Sequence, residues 1–134
     1  MKTLLVELRD HNWAGRDLQY LLKDFDVALL YGDREYAIAA VTLRDCDEAL
    51  NALKDVAKAD AVLGAAAHLT VLDSDTVAQK EIWTNVDGLD GTLVYNKRGS
   101  LSLETETYSY NDDGDDIYAY YSLIVKDGSL MIAE

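Results

Sequence analysis

The chain contains no proline and a single cysteine, Cys46, among its 134 residues. One cysteine excludes an intramolecular disulfide framework and the zinc sites that are built from paired cysteines. The absence of proline and of any Gly/Ser-rich linker disfavours long disordered or tethering segments. We therefore expect a folded protein of a reducing, cytoplasmic environment.

Positive charge is also scarce, because 12 Lys and Arg oppose 25 Asp and Glu, which gives a formal net charge of -13 at pH 7. Direct binding to DNA or RNA needs clustered Lys and Arg against the phosphates, so we expect no direct nucleic-acid binding. A protein with a basic surface is the expected partner.

Long apolar runs are missing, since no stretch of about 18 apolar residues occurs. The first residues, MKTLLVELRDH, combine a short apolar run with an early acid, Glu7, unlike a secretory signal. At 49% hydrophobic residues the chain still has material for a core. These features predict a soluble protein of one domain or two small ones, with no contact with a membrane.

Residues 1–75 carry the spacing of alternating strands and helices. Residues 3–8 alternate, with Leu4, Val6 and Leu8 on one side, which predicts a half-buried strand. Apolar side chains at helical spacing over 18–25 predict a short helix that begins near residue 12. Strands at 27–31 and 36–43 are then expected to form a hairpin around 32–35, where Gly32 tolerates a positive φ.

A second helix is predicted from Asp45, whose side chain can cap the first turn while Glu48 supplies the reciprocal acid. Its expected buried stripe is Ala49, Leu50, Leu53, Val56 and Ala57. A strand at 69–72 follows. The order βαββαβ is the split βαβ pattern of ferredoxin-like domains, with two helices on one face of a four-stranded antiparallel sheet. We therefore predict an α+β fold with a ferredoxin-like N-terminal half.

Residues 76–134 lose the helical spacing. Turn signals recur instead, at Asp87-Gly88, Asp90-Gly91, Arg98-Gly99, Asp113-Gly114 and Asp127-Gly128. Strand-like runs lie between them, near residues 80–84, 92–96, 101–110, 117–125 and 129–133. Connections this short predict an antiparallel β-meander. The pattern leaves open whether this acidic, Tyr-rich half forms its own sheet and whether the two halves share one core.

Acids and tyrosines concentrate near the C-terminus. Residues 99–134 hold eight acidic side chains against the single base Lys126, and five of the nine tyrosines. Tyrosine is common at recognition surfaces because it combines contact area with a polar tip. If NDDGDD at 111–116 is a hairpin turn, the two-residue period of the strands places carboxylates and phenols on one surface. The predicted partner-binding residues are Glu104, Glu106, Tyr108, Tyr110, Asp112, Asp113, Asp115, Asp116, Tyr118 and Tyr120.

Such a surface can imitate the charge and stacking faces of a nucleic acid, or meet a basic groove by complementarity. We expect a non-enzymatic inhibitor or interaction protein that occupies a basic, nucleic-acid-binding surface of a larger protein. In composition and size the chain resembles the inhibitors that bacteriophages deploy against restriction or CRISPR nucleases, several of which are DNA mimics. That resemblance implies an anti-restriction or anti-CRISPR role.

Other interpretations remain open. An immunity protein or antitoxin would neutralise a basic toxin through the same charges. The acids can also be a solvated face, with the tyrosines in ordinary cross-strand packing, or an adaptation to high salt. A small-ligand or enzyme domain would need a concave pocket with converging titratable groups.

Catalytic and metal-binding patterns are weak. The acidic runs at 111–116 and 73–75 lack the donor spacing of an EF-hand loop. Cys46 would need a neighbouring base, for which His11 and His68 are available. The sequence has no pair of histidines one helical turn apart and no Gly-rich phosphate loop. We therefore expect no catalytic residues, no metal and no cofactor.

Trp13 and Trp83 are interpreted as packing anchors of the first helix and of a strand. The oligomeric state stays open, because an exposed edge strand of the meander would permit strand addition without requiring it.

Overall fold

The computed structural model describes residues 1–9, 13–44, 47–48, 51–52, 55 and 69–133. Its elements are β1 Lys2–Arg9, α1 Ala14–Leu21, β2 Asp26–Gly32, β3 Tyr36–Leu43, β4 Leu69–Val71, α2 Ser74–Lys80, β5 Trp83–Val86, β6 Leu89–Tyr95, β7 Leu101–Tyr110, β8 Asp116–Lys126 and β9 Ser129–Ile132. The first sheet has the order β2-β3-β1-β4 and the second sheet the order β5-β6-β7-β8-β9. All pairings are antiparallel, so the predicted α+β class is confirmed.

The second predicted helix lies largely outside the described residues. Residues 47–48, 51–52 and 55 are helical, in agreement with the prediction. Its proposed cap, Asp45, and its apolar stripe at 49–57 are not among the described positions.

Strand β1 is buried on both faces, so the prediction of a half-buried strand is wrong. Leu4, Val6 and Leu8 pack with apolar side chains of α1 on one side. Leu5, on the opposite side, is fully buried against the second sheet. The second sheet thus covers the face that would otherwise meet water.

A single apolar cluster joins the two sheets. It contains Leu5, Ala28, Ile38, Ala40, Leu72, Val77, Val86, Leu93, Leu101, Leu103, Leu123 and Val125. Buried hydroxyls add polar contacts, because Thr3 Oγ1 donates to the Leu123 carbonyl at 2.8 Å and the Val125 N–H donates to Thr42 Oγ1 at 2.7 Å. The two hydroxyls lie 3.0 Å apart, and both are therefore satisfied.

The second sheet also covers part of the edge of β1. Strand β4 pairs with β1 only over Val6–Leu8. Nearer the N-terminus the Leu5 N–H donates to the Tyr95 hydroxyl at 2.8 Å, and that hydroxyl donates to the Leu72 carbonyl at 2.9 Å. Burial raises the pKa of Tyr95 to about 12. The phenol therefore stays neutral and replaces a missing strand partner.

Helix α2 departs from the sequence-based prediction, which places a strand near residues 80–84. The strand begins only at Trp83. The local signal for the helix is Asp73, whose carboxylate accepts the Thr76 N–H at 2.8 Å as an N-cap. Because this short helix buries only Val77, it leaves no apolar stripe in the sequence.

Four of the predicted turns are confirmed, with positive φ at Gly88, Gly99, Gly114 and Gly128. Asp90-Gly91 is instead part of β6, so that prediction is wrong. A Cβ at Gly91 would lie 2.4 Å from the Glu104 carbonyl oxygen. This glycine therefore serves the close approach of two strands and not a turn.

Gly32 likewise has no positive φ, although it is the residue of the first hairpin predicted to tolerate one. A Cβ there would lie 2.9 Å from Gly15 Cα, so its role is the close approach of β2 to α1. The connection is held by Asp33, whose carboxylate accepts the N–H groups of Glu35 and Tyr36, each at 2.8 Å.

Candidate interaction surface

Strands β7 and β8 pair as a long hairpin and bring predicted site residues together. Glu104 lies opposite Tyr120, and Glu106 lies opposite Tyr118. Leu103, which is adjacent to Glu104, and Leu123, three positions after Tyr120, lie in the core between the sheets. By the two-residue period, the carboxylates and phenols therefore occupy the side of the second sheet that faces away from the first sheet.

The acids on this side raise the pKa values of the neighbouring phenols. The Tyr120 hydroxyl donates a hydrogen bond to Glu104, and this bond raises the pKa of Tyr120. The pKa of Tyr118 is raised chiefly by the negative charge of Asp116, with smaller contributions from burial and from Glu106 and Glu104. Both phenols are consequently neutral at physiological pH and act as hydrogen-bonding aromatic surfaces.

Trp83 extends the surface across two further strands. It lies opposite Thr92, which lies opposite Glu104, so one continuous row runs from Trp83 to Tyr120. Trp83 is 73% exposed, Tyr120 61% and Tyr118 44%. We refer to Trp83, Asp90, Glu104, Glu106, Tyr118 and Tyr120 as the outer face.

The interpretation of Trp83 as a packing anchor is wrong. Val86 on the same strand is buried in the core, and the two-residue period therefore turns Trp83 to the opposite side. Strand β5 is an edge of the second sheet, so among the described strands only β6 pairs with it. Trp13 also differs from expectation, because it is 48% exposed.

A cleft of about 410 Å³ opens on the outer face. Trp83 and Tyr118 line it, and Thr92 lies between Trp83 and Glu104 along the row. Asp90, Glu104 and Glu106 also line it. The cleft therefore combines aromatic walls with carboxylates.

The carboxylates of the outer face have no basic partner within the described part of the chain. The ion pairs found there are Arg9–Glu7, Arg16–Asp17, Arg44–Asp26 and Lys80–Glu7. None involves the outer face. Asp90 accepts a hydrogen bond from the Asn85 side chain at 2.8 Å, which leaves its charge unneutralised.

The tip of the hairpin carries the remaining predicted residues. A register shift between Glu106 and Tyr110 interrupts the ladder, and Tyr110 beyond it is 70% exposed. Asn111 holds the turn, because its side chain accepts the N–H groups of Asp113 at 3.0 Å and Asp115 at 2.9 Å. The exposed acids at the tip are Asp112, Asp113, Asp115 and Asp116. The side chain of Tyr108 lies outside the described part of the structure.

A second cleft, of about 560 Å³, lies at the start of α1. Two guanidinium groups approach the Trp13 ring there, with Arg34 Cζ at 5.2 Å and Arg16 Cζ at 5.6 Å from its centroid. Arg16 Nε also contacts Asp17 Oδ1 at 3.0 Å. Arg16 therefore contacts an indole ring and a carboxylate at the same time.

Neither a cluster of metal-ligating side chains nor a helix able to cross a membrane occurs among the described residues. Across residues 1–9, 13–44 and 69–133 and the described helical positions between them, no three His, Cys, Asp or Glu side chains are grouped to hold a metal ion. Cys46, His11 and His68 lie outside the described residues. No helix in the same parts of the chain has the length and apolar character needed to span a membrane.

Comparison with protein-family profiles, curated proteins and solved structures found no match to this chain.

Proposed function

We propose that this protein is a non-enzymatic inhibitor whose outer face binds a basic, nucleic-acid-binding surface of a partner protein and blocks it. The observation that carries the proposal is the arrangement of exposed aromatic rings among carboxylates that lack basic partners in the described chain. A partner that supplies Lys and Arg would neutralise these carboxylates.

Charge and aromatic area have different roles in such an interface. A net charge of -13 would attract a basic surface over a distance and raise the association rate, in a manner that salt weakens. Trp83, Tyr118 and Tyr120 would then be desolvated as contact anchors, and buried Trp and Tyr commonly carry much of the binding energy of an interface. The acids at the hairpin tip would add to the attraction.

The second sheet supports the outer face from its buried side. The outer face lies on a sheet whose other side is packed into the core, so little ordering is required on binding. We therefore propose that the binding surface is preformed. From the composition we further propose an anti-restriction or anti-CRISPR role and a cytoplasmic location.

We further infer that the first sheet is a ferredoxin-like unit. Its order β2-β3-β1-β4 and the crossing of α1 between β1 and β2 agree with a split βαβ arrangement. The helical positions at 47–55 fall where the second crossing helix belongs. On this interpretation the second sheet covers the side that the two helices leave open.

Affinity capture from the host lysate at low and at moderate salt tests the proposed function. The baits are the wild-type chain, the Glu104→Lys/Glu106→Lys double variant and a control double variant, Asp24→Lys/Glu35→Lys, which changes the net charge equally. We expect the wild type and the control to capture a nucleic-acid-binding protein that salt releases and that the outer-face variant fails to capture. Equal capture by all three baits would contradict the proposal.

A further inference from the structure

The cleft on the outer face is large enough to admit a flat cation, and its lining includes an indole and carboxylates that would bind one. Trp83 and Glu104 are separated by two strand spacings, a distance of about 10 Å. Thr92 lies between them and is small, so the space above it is open. A planar group that lies on the indole can therefore reach the Glu104 carboxylate with its edge.

The contacts at Trp13 show an indole ring, an arginine and a carboxylate together elsewhere in this protein. There, Arg16 lies by the indole ring and pairs with Asp17, with the distances given above. At Trp83 the indole and the carboxylates are present, but the described chain supplies no arginine to them.

We infer that the cleft between Trp83 and Tyr118 receives an arginine side chain of the protein partner, an inference that rests on the proposed function. The guanidinium would stack on Trp83 and donate hydrogen bonds to Glu104 and Glu106. Arginine fits better than lysine, because its planar group stacks on aromatic rings and presents paired donors to a carboxylate. A lysine ammonium is more strongly hydrated and offers no flat face.

The test measures binding of two peptides of equal length and charge, one arginine-rich and one lysine-rich, to the folded full-length chain. Calorimetry gives the affinities, and NMR follows the indole N–H signals of Trp83 and Trp13 separately. The variants are Trp83→Ala and, as a control at another exposed aromatic residue, Tyr20→Ala. Near-native circular dichroism and thermal unfolding establish that each variant is folded.

We expect the arginine peptide to bind about two- to fivefold more tightly than the lysine peptide, a gain of the size of one exposed cation-π contact. Its binding should shift the Trp83 signal and leave the Trp13 signal in place. Trp83→Ala should abolish the preference for arginine, and Tyr20→Ala should retain it.

Two results would overturn the inference, and they differ in what they say of the proposed function. Equal binding of both peptides, weakened by Glu104→Lys/Glu106→Lys but unaffected by Trp83→Ala, would contradict the arginine site and leave an acidic interaction surface. Failure of the wild-type chain to bind either peptide at low salt would contradict both.

Discussion

Tyr120 on β8 lies directly opposite Glu104 on β7, and a hydrogen bond to that carboxylate raises the pKa of the phenol. The Tyr120 side chain is 61% exposed. A partner that covers this position would therefore contact an aromatic ring and a carboxylate together.

The first prediction concerns the ionisation of Tyr120. The hydrogen bond to Glu104 stabilises the protonated phenol and raises its pKa above the ordinary value of 10.0. Glu104→Gln removes the negative charge, so the Tyr120 pKa should fall toward that value. NMR titration of the Tyr120 ring carbons in the wild type and in Glu104→Gln checks this. An unchanged Tyr120 titration would contradict the observed pairing.

The second prediction concerns the buried carboxylate Glu7. Its side chain is 3% exposed and contacts Lys80 Nζ at 2.8 Å and Arg9 Nε at 3.0 Å. It also accepts the Tyr36 hydroxyl at 2.7 Å. Glu7→Gln would leave a partly buried ammonium without its counter-charge and should lower the free energy of unfolding by about 3 kcal/mol.

Urea unfolding measures this effect, and Asp26→Asn is the matched control. Asp26 pairs with Arg44 at an exposed position, so its loss should cost less than about 1 kcal/mol. Equal costs for the two variants would show that the Glu7 cluster contributes no more than a surface pair.

The third prediction is the pH dependence that Glu7 produces. Burial raises its pKa, but hydrogen bonds from Lys80 and Tyr36 and the charges of Lys80 and Arg9 together outweigh burial and lower the pKa below 4.5. A lowered pKa in the folded state gives stability that is present above pH 4.5 and lost as the pH falls through the folded value.

The stability difference between wild type and Glu7→Gln should therefore be constant near neutral pH and shrink below about pH 4.5. Unfolding free energies at a series of acidic pH values provide the measurement. A difference that grows on acidification would mean that the folded-state pKa of Glu7 is raised.

The fourth prediction is that the two sheets unfold together. Leu103 is fully buried in the cluster that joins them, so Leu103→Ala should destabilise the protein by about 2–5 kcal/mol. Each half contains one tryptophan, and the single-tryptophan variants Trp13→Phe and Trp83→Phe report on the halves separately. Their unfolding midpoints should coincide and shift equally with Leu103→Ala, whereas separate midpoints would indicate two independent units.

Local patterns in the sequence predict the second sheet well. Strand β7 was expected at 101–110 and lies there, and β8 extends its predicted run of 117–125 by one residue at each end. Alternation and turn residues depend only on neighbouring positions, so they can be recognised without knowledge of the fold. The same period places Glu104 and Glu106 on one face of β7 and Tyr118 and Tyr120 on one face of β8, and the hairpin brings these residues opposite one another.

The errors arise where distant parts of the chain meet. The alternation of β1 places Leu5 on the side expected to face water, because the strands that cover it lie far along the sequence and contact it only in the folded state. The place of Trp83 on the outer face is not predictable for the same reason, since its position in one row with Thr92 and Glu104 depends on the register of three strands. A single sequence contains the alternation of each strand but not the register between them.

Competition for the captured partner tests the central claim most directly. The partner's nucleic-acid binding is measured while the wild-type chain or the Glu104→Lys/Glu106→Lys variant is added. We predict that the wild type displaces the nucleic acid in proportion to its own binding and that the variant does not. A partner that holds the nucleic acid and the wild-type chain at the same time, with undiminished affinity for both, would contradict the account.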